Sequence, residues 1–271
     1  MAIEKKEESG TLGGTGNNKR YRSDQNVGEK SKHGVVESAT ISPNRSEVDR
    51  YNAPAMEIAV FENDIPAGYF ETDCISFDTE AMGLKVRRDR LCVIQACEYL
   101  EDTKTNRVAI VKIAKDPKPA NNLKEIFENP NIRKIAHFAR FDVRIMLEHL
   151  GIKTQNVHCT HLMSNFARTY TNNHSLKDVC RDALGVMLNK QACSTDWGSA
   201  SLTDEQLKYA AGDVLYLQHV FQVLENALIR EDRNELYLHA RECIIIRAML
   251  DIGGWDYDVF SHHRDPGRFG G

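Results

Sequence analysis

The chain has no excess of positive charge: across 271 residues, 35 Lys and Arg face 39 Asp and Glu, for a net charge of −4. No overall basic field therefore advertises nucleic-acid binding, and any such contact must come from a local patch. The seven cysteines form neither CxxC pairs nor a framework spacing, which argues against a structural zinc site. An odd cysteine count without an export signal reads as reduced thiols in a cytoplasmic protein. No apolar run approaches the length of a membrane span, and "MAIEKKEESG" lacks the apolar stretch of a secretory signal. Its acidic residues also argue against a transit peptide. What remains, 41% hydrophobic and 27% charged, is the composition of an ordinary globular protein with one good-sized domain.

Residues 1–54 stand apart. The stretch "GTLGGTGNNKRYRSDQNVGEKSKHG" is rich in Gly, Asn, Ser and mixed charge and has no hydrophobic period. Such a segment buries too little apolar surface to offset its ordering entropy, so a disordered tail is expected. From Met56 the pattern changes. "MEIAVFEND", "CISFDTE", "RLCVIQACEYL" and "NRVAIVKIA" read as strands, the last two joined as a hairpin. "NNLKEIFENPN" reads as a short helix and "RKIAHFA" as a further buried strand. "FDVRIMLEHLG" is a helix with a glycine stop, and helices follow around "CTHLMSNFARTY" and "SLKDVCRDALG". "TDEQLKYAAGDVLYLQHVFQVLENALIRED" reads as one long helix, with Thr203 and Gln206 placed as a capping box. A last helix, "ELYLHARECIIIRAML", closes the domain. Strands first and helices afterwards predict an α/β fold, a mixed sheet flanked by helices over residues 55–250, with 251–271 as a C-terminal extension.

The stretch "CISFDTEAMGL" raises a physical difficulty. An apolar run ends in Asp78-Thr79-Glu80, and strand alternation puts Asp78 and Glu80 on the same face. Burying two like charges there is costly unless a cation sits between them. Alone, the pair also fits a strand end fraying into solvent. Further carboxylates lie in apolar company. Asp142 opens the helix after a buried strand, and Tyr209 and Asp213 are four apart on one helix face. Each has an innocent reading, Asp142 as a helix-dipole residue and Asp213 as a solvated one. Jointly they form four carboxylates and a phenol that need cations. Two magnesium or manganese ions satisfy that need, since these hard ions prefer oxygen ligands. About 4 Å apart, such ions hold the attacking and leaving oxygens on either side of a phosphorus.

The order "DTE", "HFARFD", "YAAGD" resembles the three exonuclease motifs of the DEDD superfamily. The Tyr four residues before the last Asp matches its tyrosine subtype, the ribonuclease D-like group. The resemblance runs from about Val60 to about Asp251. More narrowly, "FDTEAMGLKVRRDRLCVIQ", "RTYTNNHSLKDVC" and "NKQACSTDW" resemble nano-RNase C, a short ribonuclease D-like type that trims very short RNA. The resemblance implies a ribonuclease H-like fold and 3′-5′ hydrolysis of short oligoribonucleotides, dinucleotides above all, to 5′ mononucleotides. It implies that Asp78, Glu80, Asp142 and Asp213 ligate two divalent ions, Mg2+ or Mn2+, and that Tyr209 orients or helps deprotonate the attacking water. Leu84 would match the family's wedge between the last two bases. The short segment after the catalytic domain leaves little surface for a long substrate. Action on longer RNA or DNA ends, a catalytically dead nucleic-acid-binding module, and an interaction protein using its tail remain the alternatives.

Phosphate contacts should come from cations and polar groups near these motifs. His137 and Arg140 precede Asp142, and Lys190 and Gln191 precede "STDW"; these four join Leu84 as candidate substrate contacts. Arg87 and Arg88 read as solvated surface charges, His161 and His174 as structural, Trp197 as packing, and Cys92 and Cys97 as core. Finally, "ECIIIRAMLDIGGWDYDVF" crowds Ile244, Ile245, Ile246, Met249, Leu250, Trp255, Tyr257 and Phe260 together. That exceeds the single apolar stripe a helix buries on its own domain. With the ring-like assemblies of nano-RNase C, it leads us to expect a homo-oligomer.

Overall fold

The computed structural model describes residues 37–39, 55–85, 87–188, 196–255 and 257–262. Its strands are β1 (Glu37–Ala39), β2 (Ala55–Glu62), β3 (Cys74–Ala81), β4 (Leu91–Leu100), β5 (Thr105–Lys112), β6 (Arg133–Ala136) and β7 (Val157–Cys159). They form one mixed sheet in the order β1-β2-β5-β4-β3-β6-β7. β3, β4 and β5 are antiparallel neighbours, whereas β2 runs parallel to β5, and β6 and β7 continue parallel from β3. The expected hairpin is the β4–β5 pair. β4 lies at the centre, buried on both faces over most of its length, which is why "LCVIQAC" reads as an almost unbroken apolar run.

Helices α1 (Asn121–Glu128), α2 (Arg140–Leu150) and α7 (Asn234–Ile252) cover one face of the sheet. There Phe77 meets Phe127 edge-on, and Val143, Ile145, Ile244 and Ala248 complete the core. α5 (Asp204–Leu215) covers the other face, setting Ala210, Ala211 and Val214 against Val93, Val108 and Ile110. α3 (Thr160–Ala167), α4 (Leu176–Leu184) and α6 (Leu217–Arg230) share a further apolar cluster around Phe221 and Leu224. α2 and α4 both end in left-handed glycines, Gly151 and Gly185, as a helix stop requires. No helix among the described residues is long and apolar enough to cross a membrane.

Several expectations change. The long helix read through "LKYAAGDVLYLQHV" breaks at Tyr216, so that α5 packs on the sheet while α6 turns toward α3 and α4. β7, only three residues long, is too short to show a period in sequence. The disorder expected over residues 1–54 lies outside the described residues except at Glu37–Ala39, where β1 instead pairs antiparallel with the edge of β2. An open sheet edge offers unpaired N–H and C=O groups that even a polar segment can use. α7 runs through Ile252, past the boundary placed at residue 250.

Candidate active site

The site is built where β3 ends. Ser76, Asp78 and Glu80 share one face of the strand, and that face meets α5: the Ser76 hydroxyl donates to the Val214 carbonyl at 2.8 Å. At the start of α6, Gln218 adds a tie to the neighbouring strand, its amide donating to the Cys97 carbonyl of β4 at 3.2 Å. The capping box of Thr203 and Gln206 fixes the start of α5. One turn separates Tyr209 from Asp213, so both side chains reach the strand. Carboxylate oxygens of Asp78, Glu80 and Asp213 lie within 4.8 Å of one another. Directly after Glu80 the pairing with β4 is irregular, a bulge of the kind that re-aims side chains at a site.

Asp142 joins from the opposite side. It lies in the first turn of α2, only 2% exposed, and its Oδ1 accepts the Thr79 hydroxyl at 2.6 Å. Thr79 alternates away from its two acidic neighbours, and this is what lets it reach α2. Gln95, directly across the ladder from Asp78, donates its amide to Asp78 Oδ2 at 2.8 Å. Neither Thr79 nor Gln95 stood out in the sequence; the register of β3 against β4 is the signal that finds Gln95.

Electrostatics matches the crowding. Burial, then the neighbouring Asp142, Asp213 and Glu80 charges, pushes the Asp78 carboxyl well above its ordinary range. Glu80 is pushed up to about 8 by burial and then by Asp213 and Asp142. Asp142 is raised too, chiefly by burial, against the opposing hydrogen bond from Thr79. Burial, Asp213 and Glu80 hold the Tyr209 phenol far above its usual value, and its hydroxyl is hydrogen-bonded to Asp213. An all-carboxylate set at this spacing suits a hard divalent cation, which would relieve the repulsion that now favours protons.

A pH dependence follows. In the metal-free protein these raised carboxyls keep protons that the unfolded chain releases near about pH 4. Over the window from there to about 8, the folded state binds more protons, so stability falls as pH rises. Thermal melts in chelator should therefore show a lower Tm at pH 8 than at pH 5.5, with millimolar magnesium removing most of the difference. A flat profile in chelator would contradict the cluster.

The remaining candidates separate. Leu84 stands 78% exposed on the loop after β3. His137, just past β6, is half-buried, with Nδ1 2.9 Å from the Thr160 hydroxyl and its ring edge-on to His161. Arg140 is partnered: Nε and Nη2 each donate to Asp251 at 2.7 Å, clamping α2 to α7. Lys190 and Gln191 lie outside the described residues. Arg88 pairs with Asp89, and Arg87 reaches the Ile252 carbonyl. Trp197 is buried with its ring 6.0 Å from that of Tyr209. His161 and His174 bond to each other's segment, His161 Nδ1 to the His174 carbonyl. Cys92 and Cys97 are buried.

Comparison with known proteins identifies the family. The sequence model of a 3′-5′ exonuclease family matches residues 61–229, more than half of the chain. The structure of Brucella melitensis NrnC bound to pGG is similar at 37% identity and a TM-score of 0.71, covering 76% of this chain and 98% of that one. The same protein with bound Mg2+ is similar at 36% identity and a TM-score of 0.71, covering 76% and 99%. Ribonuclease D of Haemophilus influenzae is 28% identical over 160 residues, 59% of this chain but only 38% of that longer protein. Motif order, fold and relatives converge: the chain belongs to the DEDD 3′-5′ exonuclease family, among its ribonuclease D-like members.

Proposed function

We propose that the protein is a metal-dependent 3′-5′ exoribonuclease that hydrolyses very short oligoribonucleotides, dinucleotides above all, to 5′ mononucleotides. The observation that carries this is the convergence of Asp78, Glu80 and Asp213 within 4.8 Å at the end of β3, beside Tyr209. Asp78, Glu80, Asp142 and Asp213 would hold two divalent ions, Mg2+ or Mn2+. Bound there, such ions supply an activated water and offset charge on the phosphate. Thr79 and Gln95 keep Asp142 and Asp78 in place, the support that ligand carboxylates need. In this reading the Tyr209 hydroxyl, bonded to Asp213, orients the water that adds to phosphorus as the 3′ oxygen leaves. Leu84, exposed on the loop after β3, would be the apolar side chain that presses between the terminal bases. The pGG held by Brucella melitensis NrnC supports the short-substrate reading. The free thiols of the described cysteines support a reducing, cytoplasmic setting.

The test is hydrolysis of an RNA series from two to about twenty nucleotides, with a matched DNA series, with and without magnesium. Turnover should be greatest on the dinucleotide and vanish with chelator. Faster turnover of the longest RNA or of DNA would favour an enzyme for longer ends. Tight binding without hydrolysis would favour a binding module.

We further infer assembly with copies of itself through the end of α7. Ile244 and Ala248 face the protein's own core, which leaves Ile246, Met249, Trp255 and Phe260 outward, Phe260 at 90% exposure. Patches of this kind mark contacts. Light scattering at micromolar concentration should give a mass several times 30.7 kDa; the monomer mass would reject the inference without touching the chemistry.

A further inference from the structure

The described residues of the loop between β3 and β4, 82–85 and 87–90, are held by more contacts than their exposure suggests. Its neck is closed by the Met82 N–H, which donates to the Arg90 carbonyl at 3.0 Å. Above the neck, Asp89 is only 7% exposed. Its Oδ2 accepts the Lys85 N–H at 2.9 Å, and its own N–H donates to the Lys85 carbonyl at 3.0 Å. Arg88 donates to both oxygens of the same carboxylate at 2.6 Å. Gly83 lies against it so closely that a Cβ would stand 2.3 Å from Oδ2. On the far side Arg87 adopts φ +62, a conformation unfavourable for a side chain with a Cβ, and its N–H donates to Glu148 Oε1 at 2.7 Å. Glu148 is itself held by the buried Arg144 at 3.1 Å. Two carboxylates, each fixed by an arginine, thus take the N–H groups of Lys85 and Arg87. Leu84, next to Lys85, is left standing in solvent on an anchored backbone.

We infer that Asp89 is a positioning residue, which sets the placement of Leu84 and thereby how well short substrates are seated. This rests on the reading of Leu84 as the side chain that meets the bases. An exposed leucine on a free loop would lose its orientational entropy on every binding event; a braced loop has lost it already.

The experiment is a double-mutant cycle of Asp89→Ala and Leu84→Ala on a dinucleotide, with magnesium affinity measured by calorimetry. Asp89→Ala should raise KM about tenfold, with kcat and magnesium affinity nearly unchanged, and should add little in the Leu84→Ala background, as coupled residues do. Gly83→Ala is the second probe: alone it should raise KM similarly, and Gly83→Ala with Asp89→Ala should be no worse than Asp89→Ala, because the clash is gone. An unchanged KM in both Asp89→Ala and Gly83→Ala, or effects that simply add to that of Leu84→Ala, would overturn the inference while sparing the role of Leu84. An unchanged KM in Leu84→Ala would remove that role and this inference with it.

Discussion

Asp213→Asn is expected to keep the fold and lose magnesium-dependent hydrolysis by at least ~10³-fold, beyond the roughly 10–100-fold cost of removing an outer partner of a metal ligand. Asp213 is one of the carboxylates that gather within 4.8 Å, and an amide offers a weaker, neutral ligand in its place. The same charge raises Asp78, Glu80 and Tyr209, so its removal relieves the metal-free site. The variant should therefore melt higher than the parent in chelator at pH 8, by the equivalent of about 1 kcal/mol, and gain less from added magnesium. The two readouts oppose each other, which separates a site effect from general damage. Near-normal hydrolysis by the variant would sink the metal-dependent reading.

Tyr209→Phe comes second, with an expected loss of about 10²- to 10⁴-fold in turnover, the usual worth of a positioned acid–base group. The ring would stay beside Trp197, so packing on the sheet changes little. What disappears is the hydroxyl bonded to Asp213. Under the proposed role, in which the hydroxyl acts on water rather than on the bases or the ribose, half-saturation by substrate should move by less than the turnover does. Single-turnover kinetics on a dinucleotide gives the comparison. If binding collapses while bound substrate turns over at the parental rate, Tyr209 is a binding residue instead.

Much of this arrangement is legible before any coordinates, because it rides on short periods. Period two places Asp78 and Glu80 together, and helical spacing pairs Tyr209 with Asp213. The alternating and continuous apolar runs likewise announce β3, β4 and β5. What could not be read is what depends on register or on distant partners. Thr79 looks like a spacer between two acids, and only the position of α2 makes it the donor to Asp142. Gln95 is a lone polar residue in an apolar run until the ladder sets it opposite Asp78. Arg140 sits inside a motif and invites a phosphate, yet its partner Asp251 lies 111 residues away. The break at Tyr216 carries no proline or glycine; it follows from two apolar surfaces that one straight helix could not cover together.

The acidic side chains come from β3, from α2 and from α5, segments spread between residues 78 and 213 of the chain. No contiguous fragment shorter than that span contains them all. During synthesis β3 emerges early with two of the acids, while the helix bearing Asp213 is still to come. The growing polypeptide thus carries an unfinished acidic cluster until α5 has folded back onto the sheet. Enzymatic competence therefore waits on α5, and a chain truncated before α5 should be inert toward RNA.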